Sequence, residues 1–146
     1  MFIGSFTYSI DAKNRISIPA KLRRYVSPEA NDTFFMTRST TAKCIDLYPM
    51  DQWMKLVQRL EGLNQFDSKE AKFLRMYLEK ATDDKMDSQS RLLLPVNLLE
   101  FAGIKKEVFV LGAIKKIELW NPDIYRAYAE EPPDTFEQIA QEVMRI

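Results

Sequence analysis

The stretch Asp11-Ala12-Lys13-Asn14-Arg15-Ile16-Ser17-Ile18-Pro19 recurs 76 residues later as Asp87-Ser88-Gln89-Ser90-Arg91-Leu92-Leu93-Leu94-Pro95. The similarity continues beyond the motif. Phe34 to Met36 matches Phe109 to Leu111, and Ile45 to Tyr48 matches Ile117 to Trp120. The spacing between matched segments changes only in loops, where length differences are tolerated. The chain therefore consists of two tandem copies of one unit, each of roughly 70 to 80 residues.

Alternation of apolar and polar residues predicts the strands within one copy. Phe6 to Ile10 alternates with period two, and Ile16 and Ile18 resume that pattern after Arg15. The residues between them fit a three-residue hairpin loop, with Asn14 at the position that needs a left-handed backbone. The pattern predicts Asp11 and Arg15 on opposing strands of this hairpin.

The remainder of each copy predicts a short helix after Pro19 or Pro95, then a second pair of strands. These pairs are predicted at residues 33–37 with 44–48, and at 107–112 with 116–120. Gly103 is placed to cap the second of the short helices. Each copy thus has the order strand, loop, strand, short helix, strand, strand. Strands and helices in this order, present twice along the chain, indicate an α+β fold with an internal twofold repeat.

Longer amphipathic helices follow each copy. One begins after Pro49, and a second begins at a capping box predicted from Asp67 and Glu70. The last is preceded by a break at Pro132 and Pro133 and by a capping box at Thr135 with Gln138. The apolar face of this last helix comprises Phe136, Ile139, Ala140, Val143 and Met144. The helices offer more apolar surface than a small core can cover, so part of it is expected to pack against a neighbouring subunit.

Composition excludes several classes of function. The chain has no His and one Cys among 146 residues, so it cannot supply a Cys/His zinc site or a Ser-His-Asp triad. The acids of Asp83-Asp84 and Glu130-Glu131 are adjacent in sequence and point apart, which disfavours paired acid–base catalysis. We predict no enzymatic activity, cofactor, metal or small-molecule substrate. The absence of a long apolar run and of a leader-like start predicts a cytoplasmic protein without a membrane segment.

The zero net charge hides an uneven distribution. Residues 1–80 hold 13 Lys and Arg against 9 Asp and Glu, whereas residues 81–146 hold 8 against 12. We predict these two segments as the domains, the first being basic and the second acidic. The basic residues near the first loop are Lys13, Arg15, Lys21, Arg23 and Arg24. Of these five residues, only Arg15 has a basic counterpart in the second copy, which is Arg91.

The Asp-x-x-x-Arg element admits two interpretations. In the first, Asp11 pairs with Arg15 and Asp87 pairs with Arg91, and these ion pairs only close hairpins. In the second, the loops present side chains to DNA. Arginine can contact two acceptors on a guanine edge, asparagine can contact adenine, and lysine suits phosphate. A two-stranded ribbon is narrow enough to enter the major groove. On spacing alone, the first interpretation is favoured.

The paired motifs, together with the segments at Cys44 to Pro49 and Ile117 to Trp120, closely resemble the MraZ family. The resemblance extends over essentially the whole chain. It implies a transcriptional repressor with tandem AbrB-like swapped-hairpin β-barrel domains, assembled into a ring. Such a protein binds double-stranded DNA at short repeats in its own promoter, within the division and cell-wall gene cluster, and is associated with the nucleoid.

By position, the resemblance implies DNA contacts from both loops, with Asp11 and Asp87 holding the loops in shape. We predict the basic segment 1–80 as the main DNA-binding copy and 81–146 as the second AbrB-like domain. The predicted DNA-binding residues are Lys13, Asn14, Arg15, Lys21, Arg23, Arg24 and Arg91. Many family members have Gly before the arginine, where this chain has Asn14 and Ser90. Asn adopts a left-handed backbone more readily than Ser. Two alternatives stay open: a protein-interaction ring without specific DNA binding, and a single-domain antitoxin-like AbrB relative.

Overall fold

The computed structural model describes residues 1–132 and 134–145, so part of the predicted Pro132–Pro133 break and the last residue lie outside the described residues. Within these described residues, eight strands follow one another in chain order. They are β1 (Ser5–Ser9), β2 (Arg15–Ser17), β3 (Thr33–Arg38), β4 (Ile45–Pro49), β5 (Thr82–Lys85), β6 (Arg91–Leu93), β7 (Glu107–Ala113) and β8 (Lys116–Trp120).

Six α-helices accompany these strands within the described residues. They are α1 (Ala20–Arg23), α2 (Met50–Glu61), α3 (Ser68–Leu78), α4 (Val96–Ala102), α5 (Pro122–Ala129) and α6 (Phe136–Met144). A single 3-10 turn covers Pro28–Ala30. The predicted order of elements in each copy is confirmed, and so is the α+β class. None of the helices in the described part of the chain combines the length and the apolar character needed to cross a membrane.

Strands from the two copies alternate in the sheets. Six strands form one antiparallel sheet in the order β1-β7-β8-β4-β3-β5, while β2 and β6 form a separate two-stranded ribbon. The predicted hairpin between β1 and β2 is therefore wrong as a strand pair. β1 pairs with β7, and β2 pairs with β6. The two strands separate after the loop because each finds its partner in the other copy.

The six-stranded sheet is open, and β1 and β5 are its edge strands. The described residues thus close no barrel, in contrast to the barrel that the sequence led us to expect. β2 and β6 pair with each other instead of bridging the two edges, which leaves the sheet without the strands that closure requires.

A single apolar core holds the two copies together. Ile16 and Ile18 from the first copy and Leu92 and Leu94 from the second are all fully or almost fully buried in one cluster. These residues lie at equivalent positions of the repeated motif. Fully burying a side chain of this size contributes about 1.5 to 3 kcal/mol. The sequence repeat is therefore also a packing repeat across one core.

Helix termini match their sequence signals. Gly103 ends α4 with φ of 68°, the left-handed conformation predicted for a capping glycine. Thr135 and Gln138 form the reciprocal capping box at the start of α6. At α3 only half of the predicted box is present, because the Asp67 side chain caps the helix while Glu70 accepts a bond from the backbone N–H of Asn64.

Candidate nucleic-acid interface

The first loop is held in shape by one carboxylate. Asp11 Oδ1 accepts hydrogen bonds from the backbone N–H groups of Lys13 and Arg15 at 2.9 and 3.0 Å. Asp11 Oδ2 accepts the Arg15 Nε–H at 2.8 Å. The backbone N–H of Asn14 donates to the Asp11 carbonyl at 3.0 Å, and Asn14 has φ of 61°. The predicted left-handed position is confirmed.

The second loop repeats this geometry almost atom for atom. Asp87 Oδ1 accepts the backbone N–H groups of Gln89 and Arg91, both at 2.9 Å. Asp87 Oδ2 accepts the Arg91 Nε–H at 2.9 Å. Ser90 adopts φ of 59°, so serine takes the same left-handed conformation as asparagine. The bonds to the aspartate impose the loop shape irrespective of the intrinsic preference of Ser90.

Hydrogen bonds to the charged form lower the pKa of both aspartates. The backbone N–H of Arg15 is the largest cause for Asp11, and that of Arg91 is the largest for Asp87. Both carboxyl groups are therefore ionised near neutral pH. A permanent negative charge in each loop fixes the position of the arginine that follows it.

The β2–β6 ribbon brings the two loops together. Ile16 lies opposite Leu92, and backbone bonds continue the ribbon on both sides, from Leu94 N–H to the Asn14 carbonyl at 2.8 Å and from Ile18 N–H to the Ser90 carbonyl at 3.0 Å. This arrangement is symmetric, since each of these residues has its counterpart 76 positions away. The two Asp-x-x-x-Arg loops form one composite surface rather than two separate sites.

Both arginines lie on the outer face of this ribbon. Ile16 and Leu92 point into the core, and because side chains alternate along a strand, Arg15 and Arg91 point away from it. Arg91 Nη1 lies 3.7 Å from Asp11 Oδ2, so this aspartate faces the arginines of both loops. The two terminal nitrogens of Arg15 donate no hydrogen bond to the described residues, which leaves them available to a ligand.

The predicted basic residues of α1 are arranged differently. Arg23 Nη1 donates to the Ile18 carbonyl at 2.9 Å, so its guanidinium is engaged in closing the turn after β2. Arg24 stacks on the adjacent ring of Tyr25, at 5.0 Å from its centroid. Tyr25 lines a cavity with Ile114, at the far end of β7 from the first loop.

Among the predicted residues, the structure therefore brings together Lys13, Asn14, Arg15 and Arg91 at the composite loop surface. Lys21 is exposed on the short helix α1, which begins just after Ile18, the residue whose backbone N–H donates to the Ser90 carbonyl of the second loop. A seven-residue strand spans about 20 Å, which separates Tyr25 and its neighbour Arg24 from the Asp11 loop.

Two acids near the loops were not predicted as part of the site. Asp83 and Asp84 line one cavity with Asn14 and Leu93. Asp84 Oδ2 accepts the backbone N–H of Leu93 at 2.8 Å. Sequence alone could not place them there, because β5 reaches the ribbon by pairing with β3 of the other copy. Their negative charge opposes an approaching phosphate.

A buried cluster of polar groups lies apart from the loops. Cys44, Asp46 and Glu118 bring ligand atoms within 4.8 Å of one another, a spacing compatible with a metal ion. The Lys116 ammonium already lies 2.9 Å from Asp46 and 3.2 Å from Glu118, and burial raises the pKa of the Cys44 thiol to about 12. A neutral thiol is a poor metal ligand. This geometry favours a structural ion-pair network.

Comparison with known proteins identifies related chains along the full length. A family model described as "MraZ protein, putative antitoxin-like" matches residues 1–76 and 77–145. A protein of Christiangramia forsetii named "Transcriptional regulator MraZ" is 37% identical over 97% of this chain and 92% of its own. Proteins with the same name in Natranaerobius thermophilus and Halothermothrix orenii are 33% and 36% identical, over 99% and 96% of this chain and 97% and 94% of theirs.

Proposed function

The chain belongs to the MraZ family of transcriptional regulators, and from this premise we propose that it is a sequence-specific, non-enzymatic regulator that binds double-stranded DNA. The observation that carries the proposal is the composite loop surface. Two arginines, each fixed by an aspartate, lie side by side on the outer face of a two-stranded ribbon. A pair of oriented guanidinium groups on a narrow projecting element suits the edges of bases in the major groove.

Each side chain at this surface has a role that its chemistry supports. Nε of Arg15 is bound to Asp11, and the two outer nitrogens can donate together to O6 and N7 of a guanine. Lys13 is exposed at the loop tip, where an ammonium group neutralises phosphate. Because Asp11 fixes the Arg15 side chain before binding, less conformational entropy is lost when the base contact forms.

The finer parts of the proposal concern regulation and assembly. We infer repression of the protein's own promoter in the division and cell-wall gene cluster, through short repeated elements, by a ring-shaped homo-oligomer associated with the nucleoid. These inferences rest on the family resemblance. One ribbon offers few phosphate contacts, whereas linked ribbons on successive repeats gain affinity through effective concentration. Assembly therefore supports specific binding by a chain whose net charge is zero.

The proposed architecture of each binding unit is the AbrB-type swapped hairpin. Its support is the reciprocal strand pairing, in which β1 joins β7 and β5 joins β3 across the sequence repeat. In this arrangement the two copies build a single DNA-binding unit. Both motif arginines would then meet one DNA segment.

The deciding experiment is a footprint on DNA upstream of the protein's own gene, repeated over a series of salt concentrations. We expect protection at regularly spaced repeats, with an affinity that falls steeply as salt rises, by a slope of about 0.9 per phosphate neutralised. Protection of random DNA at equal concentration would reject sequence specificity. No protection at any salt concentration would favour the alternative function, a protein-interaction ring without specific DNA binding.

A further inference from the structure

Helix α6 presents an unusually exposed apolar face. Phe136, Ile139, Val143 and Met144 are 82%, 44%, 72% and 67% exposed, and no described residue of α6 is buried. The helix is nevertheless well formed, since its capping box is complete. A contiguous apolar stripe on a capped helix marks a contact surface rather than a solvent-facing element. This surface requires a partner.

A groove of matching character runs along α2. We define the α2 groove as two adjoining cavities of about 360 Å³ each, which share Tyr48, Leu56, Arg59 and Lys116. One wall is formed by α2, and the opposite wall at one end is the β7–β8 turn around Ile114. The 12 residues of α2 give the groove about 18 Å of length, and the 9 residues of α6 require about 13 Å.

The charges of the α2 groove and of α6 indicate which segment fits the groove. Residues 130–144 contain five acids, Glu130, Glu131, Asp134, Glu137 and Glu142, and no Lys or Arg. The α2 groove is rimmed by Lys55, Arg59 and Lys115, none of which forms an ion pair with a described residue. An apolar helix with acidic flanks thus complements a groove that combines apolar side chains such as Leu56 and Ile114 with a basic rim. DNA would match the rim charge but not the apolar walls.

We propose that α6 of one copy of this chain seats in the α2 groove of a second copy. Apolar residues such as Ile139 and Val143 fill the cavities, while Glu137 and Glu142 face the basic rim. A contact between two different surfaces is head-to-tail, and its repetition generates a closed ring or an open filament. The inference rests on the self-assembly that is part of the proposed function, and it assigns the two surfaces that meet.

Chemical crosslinking tests this contact directly. Cys44 is the only cysteine and is fully buried, so introduced cysteines are the reactive thiols of the folded chain. Gln52 lines the α2 groove, and Val143 lies on the apolar face of α6. Chains carrying Gln52→Cys and Val143→Cys are mixed in equal amounts and treated with a short bismaleimide. We expect a covalent species of twice the 17.1 kDa chain mass, which neither variant forms alone.

A single chain carrying both substitutions separates the two possible routes to a crosslink. Covalent ladders of two, three and more chains support seating in a neighbouring copy. A product of single-chain mass instead means that α6 folds back onto its own groove, and this result would overturn the proposal.

Charge reversal provides an independent readout. Lys55→Glu with Arg59→Glu should reduce the yield of the crosslink about tenfold, equivalent to about 1.4 kcal/mol. Adding Glu137→Lys and Glu142→Lys to the Val143→Cys partner should restore it. Lys105→Glu with Lys106→Glu is the control of equal net charge, because both lysines are exposed near the opposite end of β7 and should leave the yield unchanged.

Sedimentation separates failure of this inference from failure of assembly itself. A native chain that is monomeric at every concentration would reject self-assembly. A native oligomer whose mass is unchanged when residues 135–146 are removed, and which gives no mixed crosslink, would reject the role of α6 alone. Circular dichroism of the shortened chain should show a cooperative unfolding transition, because α6 buries no described residue in the core.

Discussion

Replacing Arg15 with Ala should greatly weaken DNA binding without disturbing the loop or the oligomer. A bidentate arginine–guanine contact contributes about 1 to 3 kcal/mol, which corresponds to about a 5- to 150-fold increase in Kd for each loop that engages DNA. The loop itself should survive, because Asp11 Oδ1 keeps its two backbone bonds and the Asn14 bond to the Asp11 carbonyl is untouched.

Arg91→Ala, in the second loop, should increase the Kd for DNA less than Arg15→Ala does. Arg91 lies near two carboxylates, with Nε bonded to Asp87 at 2.9 Å and Nη1 at 3.7 Å from Asp11, whereas Arg15 has only Asp11. More of the Arg91 charge is therefore neutralised before DNA arrives. The neighbouring loop position is also uncharged in this copy, where Gln89 replaces the lysine of the first loop.

Fluorescence anisotropy with labelled promoter repeats, at several salt concentrations, measures these differences. Arg15→Lys serves as the matched variant: it retains the charge but lacks the planar guanidinium fork that Asp11 orients, so its Kd should lie between those of the native chain and Arg15→Ala. Sedimentation of each variant reports the oligomer. Equal losses from Arg15→Ala and Arg91→Ala, or dissociation of the oligomer by Arg15→Ala, would refute the reasoning.

Four other outcomes are expected. Asp83→Asn should lower Kd for promoter DNA by about twofold, since one charge about 8 Å from a phosphate in water is worth about 0.5 kcal/mol, and an unchanged Kd at low salt would contradict this. Lys116→Met leaves the buried Asp46 without its cation and should reduce the free energy of unfolding in urea by about 3 kcal/mol. Burial outweighs the nearby lysine and raises the pKa of Asp46 from 3.8 to about 6, so the folded state holds this proton more tightly than the unfolded state. The stability contributed by that proton is complete below about pH 3.8 and is lost as pH rises through about 6; Asp46→Asn should remove this part of the pH dependence of unfolding, and an unaltered profile would exclude Asp46 as its source. Fragments 1–80 and 81–146 should lack a cooperative unfolding transition when separate and should gain one when mixed, as followed by circular dichroism; independent folding of either fragment would show that the strand exchange is dispensable.

Local signals in the sequence predicted local structure well. Three local features were predicted correctly: the left-handed Asn14, the capping glycine Gly103 and the capping box at Thr135. Each depends on residues a few positions apart, so the local sequence is enough to predict it. Periodicity likewise located six of the eight strands of the described residues to within a few residues. β6 followed from the sequence repeat, and β5, which has little apolar character, was not located.

Strand partners could not be predicted in the same way. The Asp11 loop closes as a hairpin loop does, with Asp11 N–H bonded to the Arg15 carbonyl at 3.0 Å, yet its flanking strands diverge. Local spacing gives equal support to a partner in the same copy and to its counterpart in the other copy, because the two copies share one pattern. The approach of Asp83 to Asn14 depends entirely on that choice, so it could not be foreseen.

Strand exchange also changes what the uneven charge of the two halves means. Residues 1–80 carry a net positive charge and residues 81–146 a net negative charge. By sequence alone this indicates two domains of opposite charge. In the folded chain the halves interleave, and Asp11 faces the arginines of both loops. The asymmetry is therefore expressed within one surface, as a difference between adjacent loops. In the proposed complex, a single base step meets a strongly basic loop and a weakly basic one, so we expect a bound unit to have a preferred orientation on DNA despite its twofold backbone.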